Sequence, residues 1–191
     1  MSPPLLLRPW RTADAPALRA AIDESLDALR PFISWAAREP ASLAATEARL
    51  AEYARDFAQR LRWRYAIVQR ETGELLGGAS LHPYPGPGAL EVGYWVRTSW
   101  HRRGVARAAA AALTRHAFAA HGVSHAEIWF DPENHASRAV AQALGFAPAG
   151  TRLTTRPDGS PREVCVYRLD DAAMLYEPDV RISHRDTEAQ R

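Results

Sequence analysis

The chain has 191 residues, 47% of them hydrophobic and 24% charged, which suits one folded α/β domain with its own core and excludes disorder, collagen-like repeats and low-complexity architecture. Its 24 basic residues oppose 22 acidic ones, for a net charge of +2, so no global field draws the chain to nucleic acid. All 24 basic residues are arginine; with no lysine for a Schiff base or a P-loop, pyridoxal-phosphate enzymes and Walker-type nucleotidases are ruled out.

Leu5 to Trp10 is apolar enough for a first strand. Thr12 or Asp14 can cap the following helix, with Pro16 tolerated in its first turn. Leu18, Ile22, Leu26 and Leu29 fall at helical spacing, and Arg30-Pro31 should end the run. Ser42 caps a second helix carrying Leu50, Tyr53, Ala54, Phe57 and Leu61 on one side. Tyr65–Arg70 and Leu75–His82 read as a hairpin around Glu71-Thr72-Gly73. A proline-rich loop, His82 to Gly88, leads to a strand over Leu90–Val96. Gly104–His121 is an alanine-rich helix stopped by Gly122, Ala126–Asp131 a strand, and Glu133–Leu144 a helix ending at Gly145. Phe146–Thr155 and Glu163–Leu169 are late strands around a Pro-Asp-Gly turn at 157–159, and residues 176–191 read as a polar tail after a single domain at 1–175. The pattern predicts one mixed α/β (α+β) domain with a mostly antiparallel, twisted sheet of about seven strands.

Two stretches carry chemistry. After the Glu91–Val96 strand, His101-Arg102-Arg103-Gly104-Val105-Ala106-Arg107 runs from a loop into a helix. First-turn amides lack internal partners and sit at the positive end of the helix dipole. Gly104 and Ala106 keep the approach slim, while Arg102, Arg103 and Arg107 add counter-charge, so this start suits a pyrophosphate. A solvated basic helix start is the alternative. About thirty residues on, Asn134-His-Ala-Ser137 begins the next helix, followed by Leu144-Gly145-Phe146. Asn134 is a polar contact or simply a cap, and Leu-Gly-Phe packing alone would explain the rest.

In that order these stretches resemble the GNAT superfamily of acyl-CoA N-acetyltransferases. Their spacing is similar to the branch holding the ribosomal-protein N-terminal alanine and serine acetyltransferases and some antibiotic acetyltransferases. Leu29-x-x-Phe32-Ile33-Ser34-Trp35 is weakly similar to that branch's tryptophan-rich segment, and Val164–Leu169 to its final strand. Coverage reaches about residue 175. The resemblance implies a GNAT-like fold and acetyl-CoA as co-substrate. It implies transfer of the acetyl group to a primary amine, a protein N-terminus or a small molecule, and pairing as a homodimer. Val96, His101–Arg107, Asn134 and Ser137 would hold the cofactor, with the Val96 amide polarising the thioester. His101 stands where the family usually has glutamine or arginine. The tyrosine that many members carry four residues after Ser137 is Ala141 here.

Glu91 is the odd residue among Leu90, Val92, Tyr94 and Val96, and strand alternation places it with Gly93 and Trp95. It is the candidate base, through water, or else a surface carboxylate. Ser137 is the candidate for orienting or protonating the thiolate, with relay from water as the alternative. Trp35 and His82 are candidates for the acceptor pocket, against a core tryptophan and loop decoration. His116, His121 and His125 are split by Gly122 and lack further ligands, so no metal is expected. Arg60, Arg62, Arg64 and Arg70 lack interleaved aromatics beyond Trp63 and Tyr65, which argues against a nucleic-acid binder. A non-catalytic acyl-CoA sensor with the same fold stays as the alternative to an enzyme. No apolar run approaches the ~18 residues that span a bilayer, and Met1–Leu7 reads as no signal peptide. Cys165, the single cysteine, reads as a small buried hydrophobe, and a lone cysteine fits a cytoplasmic protein.

Overall fold

A computed structural model describes residues 2–83, 88–156 and 158–183. After the helical insertion that follows β1 (Leu5–Pro9), the strands β2 (Trp63–Gln69), β3 (Leu75–Pro83) and β4 (Ala89–Val96) extend the sheet in sequence, each antiparallel to the last. β5 (His125–Phe130) joins β4 in parallel, an arrangement that needs a long crossover, and α3 (Val105–His121) is that crossover. After α4 (His135–Ala143) come β6 (Ala147–Thr155) and β7 (Pro161–Leu169); β7 pairs antiparallel with β5, and β6 with β7. β8 (Val180–Ile182) lies parallel to β1, so the sheet order is β6-β7-β5-β4-β3-β2-β1-β8.

The architecture is the expected mixed α/β sheet, with one more strand than the seven read from the sequence. The addition is β8, inside the stretch read as a tail. Three residues are too few to show a period, and what fixes them is tertiary: Leu5 N–H donates to the Asp179 carbonyl at 3.0 Å, and Arg70 holds the Asp179 carboxylate at 2.7 Å. Residues 84–87 of the proline-rich loop, Pro157 of the late turn and 184–191 of the tail lie outside the described residues.

One face of the sheet is covered by α3. Ala108 to Ala112 and Leu113 are buried there against Val92, Ile128 and Tyr65, and methyl side chains let the helix lie close to the strands. Gly122, at φ +60, ends α3 in the left-handed conformation that glycine adopts without strain. The other face is covered by α1 (Ala15–Leu29) and α2 (Leu43–Ala58), packed on Trp10, Ala66, Val68 and Leu75. Ser42 caps α2 as its sequence predicts, accepting from Ala45 N–H at 3.1 Å. Asp14 does not cap α1; its carboxylate takes the Arg8 guanidinium at 2.7 Å and the Arg11 N–H at 2.9 Å instead.

Only Thr46 and Leu50 of α2 are buried. At about 1.5–3 kcal/mol for a fully buried leucine, Leu50 is the main apolar anchor, joined by the partly buried Tyr53 and by Phe57, which meets Tyr65 edge-on. An ionic cluster adds to it. The Glu39 carboxylate, buried between the helices, accepts from Arg49 of α2 at 2.7 Å, from the Ala41 amide at 2.8 Å and from Arg19 of α1. It thereby anchors the single helical turn Ser34–Arg38 that carries Trp35.

Candidate active site

β4 and β5 pair over only three rungs: Ala89 with His125, Leu90 with Ala126, and Glu91 with Glu127. From Val92 onward they part, and a cleft of about 1170 Å³ opens between them. Every residue that the sequence nominates for the site lines it except Arg103.

The first wall is the start of α3. Gly104, at φ +76, is the N-cap residue and no side chain caps the helix, so the first-turn amides stay open to a ligand. His101, Arg102, Val105, Ala106 and Arg107 line the cleft around it. Arg103 lies apart from this lining, with its guanidinium over the Trp100 ring at 4.8 Å. A Cβ on Gly104 would meet nothing nearer than Ser2 Cβ at 3.4 Å, so the obstacle to substitution is the backbone. A β-branched residue held there costs about 1–3 kcal/mol of strain, which the helix start relieves by moving. Gly104→Val is therefore expected to stay folded and to bind CoA roughly tenfold or more weakly, read by calorimetry, with Gly104→Ala between. Wild-type affinity in the valine variant would remove the pyrophosphate assignment.

The second wall is the end of β4. Arg97 N–H donates to the Leu76 carbonyl at 2.8 Å, so antiparallel alternation turns the Val96 amide away from β3 and toward the opening. His101 Nε2 lies 2.8 Å from the Val96 carbonyl oxygen and holds the strand end to the loop.

Facing it is α4. Asn134 acts as the cap, its Oδ1 accepting from Ser137 N–H at 3.0 Å, and it lines the cleft as well. Ser137 Oγ lies 3.0 Å from the Tyr94 hydroxyl across the gap. Burial pushes the Tyr94 phenol up to about 12, against the lowering effect of the Ser137 bond, so it stays protonated as a donor. Tyr94 was not among the sequence candidates. Its signal was the phenol itself, because a buried hydroxyl calls for a partner. Ala141, fully buried, packs in the core, and Tyr94 brings a phenol to this wall from β4.

On the opposite face of β4, Glu91 is set in the cleft beside Gly93 and Trp95. It has no hydrogen-bond partner among the described residues. Burial first, and the Glu127 charge second, push its carboxyl up to about 7. His82, its cross-strand partner on β3, lines the cleft too; burial, then the charges of Arg64 and Arg62, bring it down to about 4, so it is neutral at pH 7. Trp35 meets Trp95 edge-on, centroids 5.8 Å apart, and both line this side. Arg162 bridges the rim, with Nε on Asp131 at 3.1 Å and Nη2 donating to the Phe32 carbonyl at 2.8 Å.

Of the surface arginines weighed for nucleic acid, Arg64 is held by Asp56 at 2.8 Å and Arg70 by Asp179 at 2.7 Å. Among the described residues there is no cluster of three or more side chains suited to a metal, and no helix long and apolar enough to cross a membrane.

An uncapped helix start following a strand, beside two parallel strands that splay apart, is the pattern of one class of acyltransferase. The family model described as the acetyltransferase (GNAT) domain matches residues 4–147. The chain belongs to the GNAT acetyltransferase family, and it is an acetyltransferase. Among solved structures it is similar to the acetyl transferase from Salmonella typhimurium that modifies the N-terminal serine of ribosomal protein L7/L12, with 21% identity over 86% of this chain and 94% of that one, TM-score 0.74. It is similar to Mycobacterium smegmatis RimJ in complex with CoA-disulfide, with 24% identity, coverage of 88% and 82%, and TM-score 0.75. A third, the microcin C7 self-immunity acetyltransferase MccE in complex with acetyl-CoA and AMP, shares 17% identity over 86% and 91%, TM-score 0.76. At these identities the structures speak for the fold. No curated protein matches the chain significantly.

Proposed function

We propose that the protein transfers the acetyl group of acetyl-CoA directly to a primary amine, either a protein N-terminus or a small molecule. The observation that carries this is the division of labour across β4: an unpartnered carboxyl on one face and a hydroxyl pair on the other, both at the same opening. Bound acetyl-CoA would supply the acetyl group as a thioester whose C–S bond breaks as the amine attacks. The α3 amides with Arg102 and Arg107 would hold the pyrophosphate, and the Val96 amide would face the carbonyl oxygen. Glu91 takes the proton that the amine must lose, directly or through one water. Tyr94 and Ser137 donate to the departing sulfur. Support for an amine acceptor also comes from the solved relatives, one of which modifies an N-terminal serine. The aromatic side formed by Trp35 and Trp95 suits the apolar stem of such an acceptor.

A panel of peptides with free N-termini and of small primary amines, assayed for thiol release from acetyl-CoA, tests the reading. Thiol release and N-acetyl product with at least one member are expected. Binding of acetyl-CoA without thiol release across the panel would favour the sensor instead.

A further inference from the structure

The last paired rung of β4 and β5 carries two glutamates side by side. Directly paired residues of adjacent strands project to the same face, so Glu91 and Glu127 share the acceptor side of the sheet at the apex where the strands part. Their surroundings differ. Glu127 Oε2 accepts from Trp129 Nε1 at 2.8 Å, and its Oε1 lies 3.4 Å from His125 Nε2. An indole N–H can only donate, so Glu127 Oε2 is fixed as its acceptor and the side chain is turned toward Trp129. Glu91 has no such donor and opens to the cleft.

Other charges around Glu91 are occupied or distant in effect. Arg64 of β2 is held by Asp56, Arg49 of α2 by Glu39, and Arg162 of β7 by Asp131. Asp27 of α1 and Tyr53 of α2 line the cleft, and Arg168 of β7, paired across from Glu127, is held by Asp170. His82 of β3 is neutral at pH 7. Of all of them, only Glu127 acts appreciably on Glu91.

We propose that Glu127 is a positioning residue for amine deprotonation: on the last paired rung of β4 and β5, Glu91 meets the acceptor and takes the proton, while the neighbouring Glu127, held by Trp129, sets the charge against which Glu91 does so. This rests on Glu91 being the base of the proposed transfer. The proton lost by the amine goes to the Glu91 carboxylate and thence to solvent through the cleft. Glu127 gains and loses nothing in the step.

The test is the pH profile of kcat/KM between pH 5 and 9 for the wild type, Glu127→Gln, Glu127→Asp and Glu91→Gln. The wild-type acid limb is expected near pH 7, following Glu91. Glu127→Gln keeps an oxygen for the Trp129 indole but removes the charge. Its limb should move down by roughly one unit, making the variant about fivefold faster than wild type at pH 6 and approaching about tenfold below that. Glu127→Asp keeps the charge and should hold the limb near the wild-type position. A merely structural role would lower rates at every pH and move no limb. An unmoved limb in Glu127→Gln, with Glu91→Gln having lost both rate and limb, overturns this inference while leaving Glu91 as base. Wild-type rates and limb in Glu91→Gln overturn the base assignment itself. Carboxyl carbon NMR of the wild type gives a readout that needs no variant: the Glu91 titration near pH 7 should be accompanied by a small concerted step in the Glu127 signal, and independent single titrations would overturn the coupling.

Discussion

Glu91→Gln should lower turnover by roughly 10²–10⁴-fold while leaving CoA affinity near the wild-type value. The side chain stands on the face of β4 opposite Tyr94 and its Ser137 contact, so a cofactor held at the start of α3 would have no reason to sense the change. The sign with pH follows from its environment. Its carboxyl is raised from 4.5 to about 7, so the basic form grows as pH rises through 7, and the wild-type rate grows with it. The gap to the variant should narrow again toward the acceptor amine's own pKa, where the substrate arrives deprotonated. Stability moves oppositely. A folded-state value above the unfolded one means that this group's contribution is complete below pH 4.5 and is lost as pH rises through about 7. Glutamine has no charge to bury, so unfolding curves at pH 8 should show the variant more stable by about 3 kcal/mol, with the difference shrinking as pH falls and vanishing below about pH 4. A variant that is slow and unfolded would contradict the assignment, and so would one with wild-type rates from pH 6 to 9.

Glu39→Ala should be the most destabilising single change near the site, at about 3–5 kcal/mol in urea unfolding. Its carboxylate is 1% exposed and accepts from two arginines on different helices. Removing it leaves the half-buried Arg49 charge uncompensated and Arg19 with only the exposed Asp23 carboxylate as its partner. Burial on its own would push the Glu39 carboxyl up, but the Arg49 and Ala41 bonds and the charges of Arg49 and Arg19 outweigh that and hold it below the usual 4.5. Its contribution is thus full above pH 4.5 and lost as pH falls through the lowered value. Wild type and variant should therefore converge in acid. Because Glu39 anchors the turn carrying Trp35, residual activity in the variant should show a raised KM for the amine more than a lowered kcat. A loss below about 1 kcal/mol, the range of exposed pairs, would show that solvent screens the cluster.

The parts of the site that a sequence encodes locally were legible in it. A glycine ahead of an alanine-rich helix defines its own uncapped helix start, because the amides and the φ of Gly104 belong to consecutive residues. The parity of Glu91 needed only the period of two. Ser42 caps its helix for the same local reason. What stayed hidden depends on register between strands far apart in the chain. Glu127 becomes interesting only when it is paired with Glu91, thirty-six residues earlier. Tyr94 looked like packing until α4 brought Ser137 to it. Glu39, in an irregular stretch between helices, offered no period at all, and β8 was too short to show one. Arg103, one of three arginines that looked equivalent in sequence, stacks on Trp100 while its neighbour Arg102 lines the cleft.

The 3.0 Å contact between Tyr94 and Ser137 has an energetic meaning for whatever enters between them. Both hydroxyls already have a partner, so an arriving sulfur exchanges one hydrogen bond for another and gains only a small net difference, less than the ~1 kcal/mol that a new bond would contribute. Water could make the same exchange. Bond count therefore gives no selectivity at this point, and discrimination falls to the apolar surface beside it. Val140 and Phe130 line the cleft there; they offer an alkyl thioester contact that a water molecule cannot use.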